Sequence, residues 1–570
     1  MPTNDCRALQ SSKITLHNMR TSSSVLKSVF NPQCDSEMQA TLETYLPATV
    51  RFSPQAIVAL VIAAFLALLY AKKTLAVVSD SGRDAKRPPL VPSGWPWLGN
   101  AIQYAYNRIE FVQRARENHG PIFRTTLAGR DATFMTSPSF IAALMRRSQQ
   151  LSFYPIRGLV HTRTFKMSFD AATSPEVDDQ VYPVAFHPYY SKALMGATTA
   201  VFGPLLLASL EALIDHSAST FEMRLQDLIF PAFFRCSSRT SFGMGFPADA
   251  ALPEFLVFDK GFTSLSSGLP TFFFPRYQRA RDNLLSIIHT HLEPCLSDGS
   301  STGPDPNLAF EVAIAMRRAG WSREDTVGHL LAFLWGSQGN TMWLTFWCLS
   351  YILVDAACIA RIRSELHEVL QRDCGGSIKR LVAADPAILE ASNFPLLESA
   401  TKETLRLCSE FIIARVAKED TIFDVPGQRS YHVPEGGWVF GLPTFVNLDP
   451  DVHSAPTEFR MDRFLEDDGH TAPKFYKDGR RVDTNLMFWG GGSHACKGRF
   501  VAEYEVKLFI ILVISLMDPT PVGVVNCSDG AFVKEPLVPK RTETHIGVLH
   551  SDKDLVICCT SQSAQHSQVI

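Results

Sequence analysis

Two long stretches without charged residues dominate the hydrophobic pattern of this chain of 570 residues. The first, residues 55–71 (QAIVALVIAAFLALLYA), lies between Pro54 and Lys72. At about 1.5 Å per residue, a helix of this length just crosses a hydrocarbon layer of about 30 Å. We therefore predict a transmembrane anchor at 55–71, with a buried core helix as the alternative. A cleaved signal peptide fits less well, because the run begins far from the N-terminus.

The charges beside this run differ between its two sides. Basic residues follow it, namely Lys72, Lys73, Arg83, Lys86 and Arg87. The residues before it include Asp35, Glu37, Glu43 and only one nearby arginine, Arg51. Because lysine and arginine concentrate on the cytoplasmic side of a membrane span, we predict a single-pass protein whose long C-terminal part is cytoplasmic.

The second uncharged stretch runs from Leu330 to Val354 and is long enough to be read as another span. Its centre, 336–341, reads Gly-Ser-Gln-Gly-Asn-Thr, and such polar groups are costly in lipid. A long helix through a protein core is the better interpretation, and a second span is the alternative. Ser322 and Asp325 form a capping pattern at its start, and Asp355 follows its end. The glycines within it predict a bend.

The rest of the chain predicts one α-rich domain between two polar tails. Residues 1–54 are rich in serine and threonine and predict a disordered tail, and 72–96 predict a basic, proline-rich linker. Residues 97–555 predict a mainly α-helical domain with small β-sheets, including strand-like pieces at 411–416 and 431–440. A polar tail at 556–570 ends the chain, and no repeat of 20–50 residues is present.

Composition excludes several classes of function. The formal charge is -3 and no Lys/Arg run marks a basic stripe, so nucleic acid is not an expected partner. The twelve cysteines show no CxxC spacing, and the close pair is Cys558-Cys559. This argues against a zinc module and a disulfide framework, and it fits a reducing compartment.

One cysteine stands in a distinctive loop. Residues 488–499 read Phe-Trp-Gly-Gly-Gly-Ser-His-Ala-Cys-Lys-Gly-Arg, with Cys496 near the end. An isolated cysteine is usually a small buried hydrophobe, but Gly492 and Gly498 would let backbone amides approach this sulfur and stabilise a thiolate. A thiolate presented in this way can ligate a heme iron, with His494 and Arg499 lending positive charge or meeting propionates. The apolar run Leu508–Met517 suits a core helix behind the loop.

Three further charged residues predict an ionic cluster. Glu403 and Arg406 lie three apart on one predicted helix face, where they can pair. This spacing also occurs by chance in surface helices, so a surface pair is the alternative. In the segment 459–464 (FRMDRF), Arg463 could join them, and three ions removed from water must satisfy one another.

The ordered set of these motifs resembles the cytochrome P450 superfamily. The resemblance rests on Glu403-x-x-Arg406, Phe459-x-x-x-Arg463 and the Cys496 loop, together with the anchor and the proline-rich segment. It implies a mainly α fold with heme b held between a long distal helix and the proximal cysteine loop. In that fold Cys496 would ligate the iron, Glu403, Arg406 and Arg463 would form a structural triad, and His494 and Arg415 would meet the propionates.

Two departures from the family pattern concern the heme pocket. Trp489 stands where the family commonly has phenylalanine, seven residues before the cysteine. Its indole either packs against the heme or donates a hydrogen bond to the thiolate, which would raise the reduction potential. No tryptophan lies between residues 98 and 320, so the family's usual Trp-x-x-x-Arg propionate pair is missing.

The third departure lies in the long helix, where the family usually has an acid followed by threonine. Here these positions are Gly339 and Asn340, with Thr341 next. The Gln-Gly-Asn variant resembles the branch with sterol 7α- and 12α-hydroxylases and prostacyclin synthase, which contains oxygen-inserting enzymes and an isomerase. Asn340 could hold a water through its amide, and the alternative is a polar filler in a helix bend.

Other residues predict the substrate pocket and the membrane side. We expect the pocket to be lined by Phe333, Gln338, Asn340, Thr341 and the strand Ile412-Ile413-Ala414. Their apolar bias indicates a hydrophobic substrate. The apolar segment 268–277, which precedes a basic helix, either dips into the membrane surface or belongs to the core.

The resemblance implies an endoplasmic reticulum monooxygenase that inserts oxygen from O2 into a sterol, triterpenoid or related lipid. Its electrons would come from NADPH through NADPH-cytochrome P450 reductase. One alternative is an isomerase that rearranges a peroxide substrate without a reductase. The other is a non-catalytic heme- or lipid-binding protein.

Overall fold

The computed structural model describes residues 87–214, 218–298, 307–425, 429–537 and 546–560. The predicted tail 1–54, the anchor 55–71 and the first part of the linker 72–96 lie outside these residues. The C-terminal residues 561–570 also lie outside them.

Helices account for most of the described residues, as the sequence predicts. In chain order they are α1 (Ala101–Tyr106), α2 (Arg108–His119), α3 (Pro138–Arg146), α4 (Tyr154–Phe165), α5 (Phe169–Thr173), α6 (His187–Tyr190), α7 (Gly196–Glu211), α8 (Leu225–Phe242), α9 (Ala248–Ser266), α10 (Pro275–Asp298), α11 (Leu308–Arg318), α12 (Arg323–Gln338), α13 (Thr341–Val354), α14 (Ala356–Cys374), α15 (Ile378–Ala383), α16 (Pro395–Cys408), α17 (Thr444–Asn447), α18 (Thr484–Trp489) and α19 (Arg499–Met517). A π-helix spans Val177–Phe186, and short 3-10 turns span Thr271–Phe273, Pro386–Leu389 and Gly492–His494.

The strands form small sheets. They are β1 (Ile122–Leu127), β2 (Arg130–Met135), β3 (Leu151–Ser152), β4 (Thr220–Arg224), β5 (Ser409–Glu410), β6 (Ile413–Ala417), β7 (Thr421–Phe423), β8 (Tyr431–Val433), β9 (Trp438–Gly441), β10 (Phe475–Lys477), β11 (Arg480–Val482), β12 (Thr520–Asn526), β13 (Phe532–Val533), β14 (Gly547–Val548) and β15 (Lys553–Thr560). The largest sheet has the order β1-β2-β9-β6-β3, and a second has the order β13-β12-β15-β4.

Local sequence explains the hairpin that opens the largest sheet. β1 and β2 pair antiparallel, with Leu127 opposite Arg130. The two residues between them, Ala128 and Gly129, both have positive φ (47° and 81°). This matches the two-residue turn whose twist suits adjacent antiparallel strands. The predicted strand at 431–440 is two strands, β8 and β9. In the largest sheet β9 pairs antiparallel with β6 on one side and parallel with β2 on the other.

The predicted domain boundaries need two corrections. Leu90 forms a β-bridge with Arg124, and the Arg124 amide donates to the Pro89 carbonyl at 2.8 Å, so the domain begins before residue 97. At the other end, β15 continues to Thr560 and pairs with both β12 and β4. The boundary predicted at 555 therefore falls inside a strand of the core sheet.

The long helix predicted at 322–354 is present but interrupted. Ser322 caps its start by accepting from the Asp325 amide at 2.9 Å, while its hydroxyl donates to the Asp325 carboxylate at 2.7 Å. The helix ends at Gln338, and α13 begins at Thr341. Ser322 is confirmed as the cap. The irregularity that the glycines predict within the long helix lies at Gly339 and Asn340, between the two helical segments.

The core is formed by helices buried on nearly every side. Almost all of α13 is inaccessible to solvent, as is the apolar run Leu508–Met517 within α19. Among the described residues, no single helix is long and apolar enough to span a membrane. The segment 323–354 and α14 together meet the length and composition criteria for a span, but the two are bent by 107° relative to each other.

The apolar segment 268–277 lies on the surface. The exposed fractions of Leu269, Phe272 and Phe273 are 57%, 69% and 61%. The interpretation that this segment belongs to the core is therefore wrong.

Candidate active site

Cys496 is held in a short loop between α18 and α19. Its amide donates to the Trp489 carbonyl at 2.8 Å, which closes the loop on itself. Gly490 and Gly492 have φ of 69° and 66°, a backbone conformation that favours glycine. Gly498 is the N-cap of α19. The path of the chain therefore requires glycine at 490 and 492, whereas Gly498, with φ of -86°, has a conformation open to other residues.

The surroundings of the Cys496 sulfur act on its pKa in opposite directions. The side chain opens into an internal cavity but is surrounded by protein, and this burial raises the pKa of the thiol. The amides of Gly498 and Arg499 hydrogen-bond to the sulfur and favour the thiolate. Such an anion needs a cationic partner when it is buried, and a metal ion supplies one.

The cavity has a volume of about 310 Å³. Cys496 and Trp489 lie on one side of it, and Asn340 and Thr341 from the helix break lie on its wall as well. Apolar side chains make up much of the rest, including Leu344, Leu405, Ile412, Ile413, Met487 and Val548. The tertiary structure thus brings the predicted metal ligand and the predicted distal residues to one space.

Arg415 places a buried cation at the same cavity. Its side chain is almost inaccessible, and its Nη1 donates to the Ala414 carbonyl at 2.8 Å. Burial lowers the pKa of Arg415 to about 10. Within the described residues, no ion pair joins a carboxylate to Arg415. A guanidinium in this position is suited to a carboxylate from a bound group.

His494 lies near Arg415. Its ring contacts the rings of Phe153 and Tyr154, with centroid distances of 5.4 and 5.7 Å. Burial and the charge of Arg415 lower the pKa of His494. The Arg415 guanidinium also lies over the Phe153 ring at 5.4 Å. The two predicted propionate partners therefore occupy one edge of the cavity.

The residues at this edge fit a heme. A thiol that accepts hydrogen bonds from two amides is suited to be an anionic metal ligand, and the buried Arg415 is suited to pair with a propionate carboxylate. Cys496 would hold the iron and Arg415 and His494 the propionates.

Sequence reasoning missed Phe153 and Arg157 at this edge. Phe153 lines the cavity, and Arg157 follows it by four residues, the spacing of the family's missing Trp-x-x-x-Arg pair. Arg157 donates to Asp178 at 3.0 Å and to the Ala172 carbonyl at 2.7 Å, so its guanidinium is committed to protein groups. An aromatic residue followed four positions later by arginine was the available signal.

Trp489 lines the cavity, but its indole N–H is unsatisfied. Within the described part of the chain, Nε1 of Trp489 is buried and has no hydrogen-bond partner. The hydrogen bond to the Cys496 sulfur that one hypothesis required is therefore not formed. Packing against a bound group is the interpretation that agrees with this geometry.

Glu403, Arg406 and Arg463 form one buried ionic cluster. Arg406 donates to both carboxylate oxygens of Glu403, at 2.7 and 2.8 Å, and Arg463 donates to Oε1 at 2.8 Å. Arg406 also donates to the carbonyls of Asn447 and Pro456. All three side chains are almost completely inaccessible, so the alternative of a surface pair is wrong.

The helix break separates residues that the sequence grouped together. Asn340 lines the cavity, and its Oδ1 accepts from the Val548 amide at 2.9 Å. The Thr341 hydroxyl donates to the Ser337 carbonyl. Gly339 does not line the cavity and instead faces α9, where the nearest atom to a Cβ would be Asp259 Oδ1.

Three of the predicted pocket residues point elsewhere. Gln338 is buried and donates to the Ser237 hydroxyl at 2.9 Å. Phe333 packs in an aromatic cluster with Phe186, Tyr190 and Phe242. Ala414 belongs to a separate core cluster beneath the sheet. Neighbouring positions on a helix or a strand point in different directions, so only some residues of each segment reach the cavity.

Glu505 is a cavity residue that the sequence analysis did not identify. It lies on α19, and burial raises its pKa to about 8, partly opposed by a hydrogen bond with Ser237. A glutamate just before the apolar run of the helix that follows the cysteine loop was the signal available in the sequence.

Comparison with known proteins agrees with this architecture. The family model described as Cytochrome P450 matches residues 88–521. Cytochrome P450 7A1 of Sus scrofa is 26% identical over 76% of this chain and 87% of the relative. The 7-alpha-hydroxycholest-4-en-3-one 12-alpha-hydroxylase of Homo sapiens is 29% identical over 76% and 86%. Prostacyclin synthase of Bos taurus is 25% identical over 76% and 88%.

A solved structure shares the fold. The retinoic acid-bound cyanobacterial CYP120A1 superposes with a TM-score of 0.63 and 19% identity. The match covers 84% of this chain and all of that one. At this level of identity the similarity is evidence for the fold alone, a mainly α architecture with small sheets.

Proposed function

Because the chain belongs to the cytochrome P450 family, we propose that it is a heme-thiolate monooxygenase acting on a sterol or a similar hydrophobic molecule. The observation that carries this is the shared cavity, which is lined both by Cys496 and by Asn340 and Thr341 at the helix break. When bound, the heme supplies the activation of O2 that oxygen insertion requires.

The residues of the chain would hold and orient the participants. Cys496 would ligate the iron as a thiolate, which the Gly498 and Arg499 amides would stabilise. Arg415 and His494 would bind the propionates, and Trp489 would pack against the ring. The apolar wall formed by Ile412, Ile413 and Val548 binds the substrate and keeps water out.

The substrate class follows from the similarity to known sterol hydroxylases. Relatives with 26–29% identity are named for cytochrome P450 7A1 and for hydroxylation of cholestane derivatives. The apolar lining of the cavity agrees with a lipid-like substrate. A sterol or triterpenoid is therefore the substrate class that we propose.

Electrons would come from NADPH through NADPH-cytochrome P450 reductase. The overall reaction is R–H + O2 + NADPH + H⁺ → R–OH + H2O + NADP⁺, in which one oxygen atom enters the substrate and the other leaves as water. The face that carries the Cys496 loop presents the exposed Lys497, and we place the reductase there.

We also propose that the protein is anchored in the endoplasmic reticulum membrane with its catalytic domain in the cytoplasm. The predicted anchor at 55–71 and the exposed apolar residues Leu269, Phe272 and Phe273 support contact with a lipid surface.

The experiment is expression in microsomes with the reductase, followed by mass spectrometry of products from a panel of sterols and triterpenoids. We expect an NADPH-dependent mass gain of one oxygen atom, with ¹⁸O incorporated from ¹⁸O2. Binding without turnover of any panel member, with or without NADPH, would instead identify a non-catalytic binding protein.

A second candidate is an isomerase that rearranges a peroxide substrate. It is favoured by the lack of an acid at Gly339 and by the 25% identity to prostacyclin synthase. Such an enzyme needs no electrons, so turnover of a hydroperoxide without NADPH or reductase would select this candidate.

A further inference from the structure

We propose that Asp259, on a neighbouring helix, supplies the acidic side chain that position 339 lacks, and that Asp259 and His550 together pass protons toward the cavity at the helix break. This inference rests on the proposed monooxygenase function. It concerns two residues that lie outside every motif of the sequence analysis.

The carboxylate of Asp259 occupies the space beside Gly339. A Cβ placed on residue 339 would lie 3.0 Å from Asp259 Oδ1 and 3.1 Å from the Trp335 carbonyl. Since real Cβ atoms rarely approach other atoms so closely, any larger side chain at 339 would displace the carboxylate. Glycine at 339 and aspartate at 259 are therefore spatially complementary.

One hydrogen bond and one ion-pair contact hold this carboxylate in place. The indole Nε1 of Trp335 donates to Oδ1 at 2.9 Å, and Nε2 of His550 lies 3.0 Å from Oδ2. Asp259 itself is only 3% exposed. Trp335 in turn stacks on Phe262, one turn further along α9, with ring centroids 3.7 Å apart. The aspartate is thus fixed relative to the last turn of α12.

His550 connects the pair to the surface. Its side chain is 16% exposed, and its ring stacks on Trp343 with centroids 4.6 Å apart. Within the described ranges, Asp259 forms its ion pair with His550 and not with a lysine or an arginine. The two ring nitrogens of an imidazole can accept a proton on one side and donate one on the other, which a permanently charged guanidinium cannot do.

Residues next to the pair in the chain line the cavity. Val548, two residues before His550, lines the cavity and donates its amide to Asn340 Oδ1. Asn340 follows Gly339 and lines the cavity too. One short segment of chain therefore contacts both the cavity residue Asn340 and the buried aspartate.

The proposed reaction consumes protons that an apolar cavity cannot provide. Written with separate electrons it is R–H + O2 + 2 e⁻ + 2 H⁺ → R–OH + H2O, with the electrons supplied by NADPH through the reductase. In our proposal a proton enters from solvent at His550, moves to the Asp259 carboxylate and leaves to a water held by Asn340. A further proton from solvent then restores His550.

The first test separates proton supply from structure. Asp259→Asn keeps the size of the side chain and an oxygen that can accept from Trp335, but it cannot carry the proton. With the sterol that the wild-type protein oxidises fastest in the panel above, we expect NADPH-driven product formation to fall by about 100-fold. Peroxide should be released in place of product.

The peroxide-driven reaction is the matched comparison. Because R–H + H2O2 → R–OH + H2O requires no net proton, Asp259→Asn should retain this rate to within about twofold. A purely structural role of Asp259 would lower both rates together, and that result would overturn the proposal.

A positional swap provides the second test. Asp259→Ala should lose NADPH-driven coupling, and adding Gly339→Asp to it should restore at least about a tenth of the wild-type rate by returning a carboxylate to the same space. Gly339→Asp alone should lose NADPH-driven product formation, since two carboxylates would compete for one place. Absence of rescue in a double variant that retains the thiolate-heme absorption spectrum would contradict the proposal.

An infrared readout does not depend on turnover. In difference spectra between wild-type protein and variant at one fixed pH, Asp259→Asn should remove one carboxyl band, and His550→Gln should shift that same band. A band unmoved by His550→Gln would overturn the coupling of the pair. If the wild-type protein inserts no oxygen with NADPH and reductase, the proposed function fails and this inference fails with it; if it does insert oxygen while Asp259→Asn stays fully coupled, only this inference fails.

Discussion

Glu403 and Arg463 are sixty positions apart in the chain, yet Nε of Arg463 donates to Oε1 of Glu403 at 2.8 Å in a region that solvent barely reaches. Arg406 donates to the same carboxylate, so one negative charge compensates two guanidinium groups. The backbone amide of Arg460 donates to Glu403 as well, which ties the segment around 460 to α16.

Replacing Glu403 by glutamine should destabilise the protein by about 3–5 kcal/mol, because two buried guanidinium groups would lose their counter-charge. Denaturant unfolding monitored by circular dichroism measures this. The exposed pair Glu110 and Arg114 is the control, and Glu110→Gln should leave stability almost unchanged. Equal effects of the two substitutions would contradict the role of the buried cluster.

Replacing Cys496 by serine should abolish the red-shifted Soret band of the reduced, carbon-monoxide-treated protein, because serine does not provide a thiolate. Cys527, which is exposed, is the matched control, and Cys527→Ser should keep the band. An unchanged spectrum in the Cys496 variant would show that the iron ligand lies elsewhere.

Removing the cation of Arg415 should weaken heme retention. Loss of a charge-assisted hydrogen bond costs about 1.5–3 kcal/mol, so Arg415→Met should release heme at least about tenfold more readily. Transfer of heme to excess apomyoglobin measures the rate. Arg130, which lies over the Trp438 ring on the surface, is the control, and Arg130→Met should have no effect. Equal heme release from both variants would exclude Arg415 as a propionate partner.

Replacing Trp489 by phenylalanine should leave the reduction potential unchanged, because the indole N–H makes no hydrogen bond among the described residues. Stability should be equal or greater, since the substitution removes a buried donor without a partner. Spectroelectrochemical titration gives the potential. A lower potential in the variant would support the alternative that the indole donates to the sulfur when heme is bound.

Glu505 should make stability depend on pH. Burial raises its pKa in the folded protein to about 8, above the ordinary value of 4.5. The contribution of protonated Glu505 to folding stability is therefore fully present below pH 4.5 and is lost as the pH rises through about 8. The total loss is about 1.4 kcal/mol for each unit by which folding raises the pKa. Glu505→Gln should match the parent in acid and become relatively more stable as the pH rises.

Denaturant unfolding over this pH range measures the difference between the parent and Glu505→Gln. The exposed Glu117 is the control, and Glu117→Gln should show no such pH-dependent difference. A constant difference between Glu505→Gln and the parent at all pH values would show that Glu505 does not titrate differently on folding.

The family could be predicted from the order of several short motifs along the chain. The cysteine loop and the start of the long helix could be predicted because each depends on neighbouring residues. Glycines around Cys496 are required by the local path of the chain, and Ser322 caps a helix through a residue three positions away. The exposed state of Phe272 and Phe273 could not be predicted, because an apolar segment reads the same whether it packs inside or lies on the surface.

By itself the sequence determined the fold class and the loop that presents the candidate ligand, since short-range spacing encodes both. Only the tertiary structure decided that Gln338 turns to Ser237 and that Asp259 fills the space beside Gly339. Residues 259 and 339 are far apart in the chain. Their contact depends on how two helices pack, which no local pattern of residues records.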